Sequence, residues 1–297
     1  MLDSILSVAF VWQTLRISVP YALPALGGTF SERGGVVNIA LEGTLLMSAF
    51  ATTVGTFTSG EPLVGIACGL CAGILTSLIH SITSVTFKAN QIVSGIAINL
   101  LAVGVTKFSC QLIFNSSSNS ARIVGMEKWE FLSGLPSGLN PFVIGTIILV
   151  FLSNAILFRT RFGLRLRAVG EHPAAADSLG VHVPRLRHMG VLISGILAGL
   201  GGSWLALDQH SFTDGMSAGR GFIALAALII GKWNPIGAAV ASLFFGMAES
   251  LTIQLQGSGV PTQFIQAIPY VLTMVVLAGF IGRSTPPAAD GTPYEKE

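Results

Sequence analysis

Long apolar stretches alternate with short polar segments along the chain. A helix needs about 20 apolar residues to cross a bilayer, and such stretches lie at roughly 5–28, 36–56, 63–85, 91–113, 140–158, 189–207, 219–232, 235–255 and 264–282. The pattern predicts an all-α polytopic membrane protein with about nine transmembrane helices, within a range of about 8–10. We expect one transmembrane domain over residues 1–284. Residues 285–297 are rich in proline, alanine and charge, which predicts a disordered tail.

Three features interrupt this regular pattern. The first stretch contains Arg16 and two prolines, which predicts a bent helix. Residues 219–232 are few for a full span, so they predict a half-helix or a re-entrant segment. Gly34 and Gly35 precede Asn38 and predict a helix break, which would turn a helix N-terminus towards a polar pathway.

Composition supports the membrane assignment and excludes other classes. The chain is 51% hydrophobic and 10% charged, with a mean hydropathy of +0.72, whereas soluble domains are about a quarter charged. The net charge of +2 gives no indication of a nucleic-acid partner. The spacing of Gly65, Gly69 and Gly73, and of Gly195 and Gly199, is typical of membrane helices that pack closely.

The distribution of basic residues predicts the orientation. Six arginines lie within residues 159–188, and basic loops remain on the cytoplasmic side of membranes. With nine spans, the N-terminus would be outside and the C-terminus inside, which places eleven basic residues inside and three outside. Residues 114–139 would then form an external loop. The three basic residues assigned to the outside are Arg122, Lys128 and Arg220.

The basic loop contains a short helix-forming segment. Pro173 suits a first helical turn, the three alanines that follow favour a helix, and Gly180 can end it in the left-handed conformation. Glu171 lies where a carboxylate interacts well with the helix dipole. The small side chains predict a surface that docks into a cleft of another protein. The alternative is a lipid-headgroup anchor formed by the arginines.

Three segments together resemble one family, the ABC importer permeases of the branched-chain amino acid/ribose group, and in particular its nucleoside-type members. The segments are Ser31-Glu32-Arg33-Gly34-Gly35-Val36-Val37-Asn38-Ile39-Ala40-Leu41-Glu42-Gly43, Arg167 to Val181, and Gly219 to Ala238. The second is similar to the family's coupling-helix segment. Gly34, His172 and Lys232 depart from the family pattern, which more often has serine, asparagine and arginine there.

The resemblance implies a transport subunit of a bacterial cytoplasmic (inner) membrane, with no catalytic role. Its partners would be an ABC ATPase subunit, a second permease subunit (paralogous or identical) and an external binding protein or lipoprotein. Coupling to the ATPase is expected at Arg167, Glu171, Pro173, Ala175 and Gly180. The sequence lacks G-x-x-x-x-G-K-[ST], so we expect no cofactor on this chain and ATP with Mg on the partner ATPase.

Polar residues within the apolar stretches are candidates for a translocation pathway. The candidates are Asn38, Glu42, Asn99, Trp204, Asp208 and Glu249, with Trp204 able to stack on a base. The alternative is a helix–helix hydrogen bond for the carboxylates and a core contact for the tryptophan. A nucleoside is the expected solute, with riboflavin and simple sugars as alternatives. An ion-coupled transporter or an intramembrane enzyme is less consistent with the sequence, because neither an internal repeat nor an H-E-x-x-H motif is present.

Overall fold

The structure is a computed structural model, and it describes residues 8–126, 140–256, 271, 274 and 285–295. The predicted span at 264–282 lies almost entirely outside these residues, as does the second half of the predicted external loop. Every regular element in the described chain is helical, as predicted. The α-helices are α1 (Val8–Arg33), α2 (Leu41–Ser59), α3 (Pro62–Ser81), α4 (Gln91–Phe114), α5 (Pro141–Arg159), α6 (Arg161–Glu171), α7 (Pro173–Ser178), α8 (Val183–Gln209), α9 (Arg220–Ile230) and α10 (Pro235–Leu255).

Five of the described helices are long and apolar enough to cross a membrane: α3 with the π-helical turn Ile82–Thr86 that extends it, α4, α5, α8 and α10. The chain is therefore a multi-pass membrane protein. Helices α1 and α2 correspond to the first two predicted spans but carry ionisable residues within their length. Helix α9 has 11 residues. At about 1.5 Å per residue it is about 16 Å long, roughly half of a bilayer core, so the short seventh stretch is a half-helix.

Helix α8 is the centre of the bundle, where it packs against α1, α2 and α3. Small residues permit the close crossing of α3 and α8: a Cβ on Gly73 would lie 2.5 Å from the carbonyl oxygen of Gly195. A hydrogen bond of 2.8 Å joins Thr52 of α2 to Ser203 of α8. The glycine spacing therefore marked a real helix contact, because any larger side chain would separate the two backbones.

The predicted break after α1 is present. Both prolines of α1 lie within one continuous helix, and regular structure stops at residues 34–40. Gly35 has φ +84°, in the left-handed region that favours glycine. The hydroxyl of Ser31 donates to the carbonyl oxygen of Val36 at 2.6 Å and stabilises the turn. We call residues 34–40 the α1–α2 break.

The two ends of the bundle differ in the residues that they collect. At one end, here called the basic end, Arg33, Lys88, Arg187 and Lys232 lie among the helix termini and residues 285–295. At the opposite end, residues 118–123 pair with residues 210–214 through backbone hydrogen bonds and one antiparallel bridge. The sequence placed the same four cations on one side, and the structure is consistent with that grouping.

The C-terminal segment differs from the expectation of a disordered tail. Residues 285–295 pack on the basic end, where Ala289 donates its N–H to the carbonyl oxygen of Gly170 at 2.9 Å. Arg187 donates to the carbonyl oxygen of Thr292 at 2.8 Å. Composition suggested disorder because the segment has little apolar surface of its own. Backbone hydrogen bonds to the rest of the bundle supply the order instead.

Candidate functional site

Helix α9 is held at both ends by the segment that precedes and begins α2. At its N-terminus, the two carboxylate oxygens of Glu42 accept hydrogen bonds from the backbone N–H groups of Gly219 and Gly221, at 2.8 and 2.7 Å. These are donors that a helix start leaves unpaired, and a carboxylate there also interacts with the positive end of the helix dipole. Glu42 therefore accepts hydrogen bonds from two backbone N–H groups at the start of α9 that have no partner within the helix.

The other end of α9 is bound by the last two residues of α1. The indole N–H of Trp233 donates to the buried carboxylate of Glu32 at 2.5 Å. The Nε of Arg33 donates to the carbonyl oxygen of Trp233 at 2.9 Å, and its Nη2 donates to that of Lys232 at 3.3 Å. We call α9 together with residues 32–42 the α9 clamp. Because α9 is about 16 Å long and its C-terminal end lies at the basic end, Glu42 and the N-terminus of α9 lie about that distance along the helix from the basic end.

A charged pair lies beside the N-terminus of α9. Nη2 of Arg220 is 2.7 Å from a carboxylate oxygen of Glu249 in α10, and the hydroxyl of Tyr21 in α1 donates to the other oxygen. The two charged side chains are 17% and 22% exposed. The sequence counted Arg220 among the basic residues on the outside of the membrane, whereas in the structure it is the first residue of α9 and neutralises a carboxylate within the bundle.

The remaining pathway candidates lie in different places. The side chain of Asn99 links two parts of the chain, accepting from Gly43 at 2.8 Å and donating to Ile39 at 3.0 Å. Asn38 is buried and donates to Ser194 at 2.9 Å. Asp208 lies at the opposite end and pairs with Arg16 at 2.7 Å.

Trp204 does not offer a free face to a solute. It is 1% exposed, and its ring packs on Phe142 with the centroids 5.4 Å apart. It belongs to the core between α5 and α8, which was the alternative that the sequence left open.

The predicted coupling segment has the expected local structure. Helix α7 begins at Pro173 and ends at Ser178, and Gly180 follows with φ +80° and donates its N–H to Asp177 at 2.8 Å. Ala175 is exposed, and Leu179 is 84% exposed. An apolar side chain with that exposure at a turn is available to a partner surface.

Two other predicted coupling residues make contacts within the bundle. Arg167 donates to the carbonyl oxygen of Leu157 at 3.0 Å and lies over the ring of Phe158, so it joins α6 to α5. Glu171 accepts from the backbone N–H of Ala288 at 3.2 Å. Both residues position the segment, whereas α7 and Leu179 form its outer surface.

Sequence inspection missed several residues of the clamp and its surroundings. Glu32 and Trp233 were within the recognised segments but received no role, and Tyr21 was not selected. The signal for Glu32 was the cost of an ionisable side chain in an apolar setting, which requires a partner. Its partner lies 201 positions along the chain, and one sequence does not reveal such a contact.

Comparisons with known proteins place the chain among transport proteins. A family model described as branched-chain amino acid transport system / permease component matches residues 10–277. The chain is 44% identical to the guanosine ABC transporter permease protein NupQ of Bacillus subtilis (strain 168), with 95% of each chain covered. It is 42% identical to the nucleoside ABC transporter permease protein NupC of Lactococcus lactis subsp. cremoris (strain MG1363), again over 95% of each chain. A second Bacillus subtilis relative, the guanosine ABC transporter permease protein NupP, is 26% identical over 92% of this chain and 82% of its own.

Proposed function

Because the chain belongs to the family of branched-chain amino acid transport system permease components, we propose that this permease subunit of an ABC importer moves a nucleoside into a bacterial cell. The observation that carries the choice of solute is the identity of 44% and 42% with two nucleoside-type permeases over nearly the whole chain. The membrane is the bacterial cytoplasmic membrane. The subunit performs no chemistry of its own, and ATP with Mg binds to the separate ATPase.

A second, paralogous permease completes the membrane part of the importer. Two Bacillus subtilis relatives, both guanosine ABC transporter permease proteins, match this chain at different identities, 44% and 26%. A pair of related but distinct permeases in one organism supports a heterodimer over a dimer of two identical chains. An external binding protein or lipoprotein delivers the nucleoside to this pair.

The basic end faces the cytoplasm in this proposal, and the ATPase docks on α7. The exposed side chains of Ala175 and Leu179 form the contact, while Gly180 ends the helix and sets the direction of the turn. A docking helix of this kind transmits movement because it is short and tied to the bundle at both ends.

The pathway is proposed to pass along the side of the bundle that carries Arg220 and Glu249. Each of these side chains is about one-fifth exposed at a depth where lipid offers no hydrogen bonds. A partly exposed charged pair there requires water or protein. A water-filled pathway between two permease subunits provides that environment, and the same polar groups can form hydrogen bonds with ribose hydroxyls or base edges.

The proposed function is tested by uptake in proteoliposomes that contain the chain with its ATPase, second permease and binding protein. We expect ATP-dependent uptake of labelled guanosine, and competition by other nucleosides but not by riboflavin or glucose. Uptake that follows a proton or sodium gradient without ATP would contradict the ABC assignment. Competition by riboflavin or glucose alone would contradict the choice of solute.

The docking surface leads to a first specific prediction. Leu179→Asp introduces a charge where an apolar side chain meets the ATPase, so we expect guanosine-stimulated ATP hydrolysis to fall at least tenfold. Insertion and thermal stability should be unchanged, because Leu179 is 84% exposed. Stimulated ATPase activity of the reconstituted complex is the measurement.

A matched control separates docking from a change of charge at this end. Arg159→Gln alters the net charge by the same single unit on an exposed residue outside α7 and should leave stimulation nearly intact. Equal losses in both variants, or normal stimulation in Leu179→Asp, would exclude α7 as the docking surface.

The orientation is a second prediction. Single cysteines at Ser118 and Ser178, both exposed, in a chain without Cys68, Cys71 and Cys110, should react from opposite sides of the membrane. An impermeant maleimide added to intact spheroplasts should label the first but not the second until the membrane is permeabilised. Labelling of both before permeabilisation would overturn the topology.

A further inference from the structure

Residues 285–295 cross the basic end and contact four separate parts of the fold. Ala288 and Ala289 donate their N–H groups to Glu171 and Gly170 at the end of α6, at 3.2 and 2.9 Å. The carbonyl oxygen of Ala289 approaches Gly35 in the α1–α2 break so closely that a Cβ on that glycine would lie 3.2 Å away. The segment therefore joins the residues that immediately precede α7 to the α9 clamp.

The same segment continues across two further elements. Its Thr292 accepts from the guanidinium of Arg187 in α8, and its Glu295 pairs with Lys88, which follows the π-helical turn, at 3.1 Å. Four parts of the bundle that are remote in sequence are thus joined by 11 consecutive residues. Because residues 285–295 contact all four parts, they restrain the movement of these parts relative to one another.

Arg187 is the buried anchor of this arrangement. Its side chain is fully enclosed, with the residue 2% exposed, yet Nε and Nη2 have no hydrogen-bond partner in the described chain. A buried guanidinium with unpaired donors is costly, and the hydrogen bond from Arg187 to the carbonyl oxygen of Thr292 offsets part of that cost. Arg187 therefore binds the segment through only part of its guanidinium. A contact of this limited strength can open and close.

The carboxyl of Asp290 makes the docking of residues 285–295 depend on pH. Burial, together with the negative charge of Glu32 in α1, raises the pKa of the Asp290 carboxyl to about 8, while the Arg187 guanidinium acts in the opposite direction. Other ionisable groups at this place are Tyr294 in the same segment, Glu171 of α6, which accepts from Ala288, and Arg33 of α1, whose guanidinium lies 4.0 Å from Glu171. A carboxyl whose pKa is raised on docking favours the docked state when protonated, so docking weakens as the pH rises towards about 8.

We propose that residues 285–295 form a detachable strap that positions the coupling segment against the α9 clamp, so that the ATPase is held in a slow state until the importer is loaded. The proposal rests on the function proposed above, because it assigns α7 to the ATPase contact. Release of the strap frees α6 and α7 to move relative to the break at residues 34–40. Arg187 and Glu171 are positioning residues in this arrangement and do not contact the solute.

Removal of the strap tests the proposal in the assembled complex. A chain that ends at Ser284 should show ATP hydrolysis, measured without nucleoside or binding protein, that is raised at least threefold over the full chain. The amount of guanosine moved per ATP should fall by a similar factor. A purely structural role would lower both activities together with the thermal stability, and unchanged basal hydrolysis would overturn the proposal. The basal measurement uses no nucleoside, so it fails or succeeds separately from the choice of solute.

Two further variants complete the design. A chain that ends at Glu295, and so keeps every described residue of the strap, is the control and should behave as the full chain. Asp290→Asn keeps the shape but removes the charge of this carboxyl, so it should lower basal hydrolysis at pH 8 and make its rise between pH about 6 and 8 clearly shallower. Basal hydrolysis in the full chain should rise over the same interval, up to about tenfold per pH unit if one proton controls docking. If the truncated chain does not assemble, a pH profile that is equal in Asp290→Asn and the full chain rejects the strap.

Discussion

Glu42→Gln is expected to reduce guanosine uptake at least tenfold. Each oxygen of the Glu42 carboxylate accepts one hydrogen bond from the start of α9. An amide offers only one acceptor oxygen and directs its NH₂ group at the other backbone donor. Hydrogen bonds to a charged group each contribute about 1.5–3 kcal/mol, and the dipole interaction is lost as well. The N-terminus of α9 should therefore move away from α2.

The measurement is uptake in proteoliposomes, together with the level of assembled complex. Glu42→Asp separates the two roles considered for this residue, since it keeps the charge but is one methylene too short to reach both Gly219 and Gly221. A loss in Glu42→Asp equal to that in Glu42→Gln would support the clamp. Normal uptake in Glu42→Asp with a loss in Glu42→Gln would assign Glu42 to the pathway charge instead.

A control variant for the charge itself is Glu61→Gln. Glu61 lies at an exposed turn between α2 and α3, away from α9. Removal of this carboxylate should change uptake less than twofold. A large loss there would indicate that uptake responds to net charge and not to the α9 clamp.

Arg220→Met and Glu249→Gln are each expected to destabilise the protein, whereas the double variant should recover most of the loss. Each single change leaves one charge within the bundle without its partner. Breaking a fully buried pair costs about 3–5 kcal/mol. Because both side chains are about one-fifth exposed, we expect on the order of 2 kcal/mol. The double variant has no unpaired charge.

Thermal unfolding of the four proteins in detergent gives the coupling energy of the pair from a double-mutant cycle. The matched control is Arg16→Met with Asp208→Asn, an ion pair of the same 2.7 Å length whose arginine side chain is 44% exposed. There we expect a coupling energy below about 1 kcal/mol. Additive losses at Arg220 and Glu249 would mean that the two charges are stabilised separately, and would remove the argument for a polar pathway on this side.

Local features were predictable because they depend on neighbouring residues. Pro173 and Gly180 predicted the limits of a short helix. In the structure α7 begins at Pro173, as the first-turn preference of proline favours, and Gly180 follows its end with a positive φ. Gly35 likewise marked the break after α1. The short length of residues 219–232 predicted a half-helix or a re-entrant segment, and α9 has 11 residues.

Assignments of partners were less reliable because they depend on contacts between distant residues. Glu42, Glu249 and Trp204 were all candidates for the translocation pathway by residue type. In the structure Glu42 binds the start of α9, Glu249 pairs with Arg220, and Trp204 is enclosed by the core. The position of each depends on which helix faces it, and hydropathy along one helix does not contain that information.

The sequence by itself determined that the chain is a helical membrane protein, which residues form its basic end, and where its helices break, since hydropathy, charge bias and backbone preference are properties of short segments. The tertiary structure decided that α9 is held at both ends by residues 32–42 and that the C-terminal segment packs on α6 and α8. Both arrangements satisfy polar groups that their own segment leaves unpaired. An apolar interior requires a partner for such groups, but which distant residue becomes that partner is settled only when the whole chain packs.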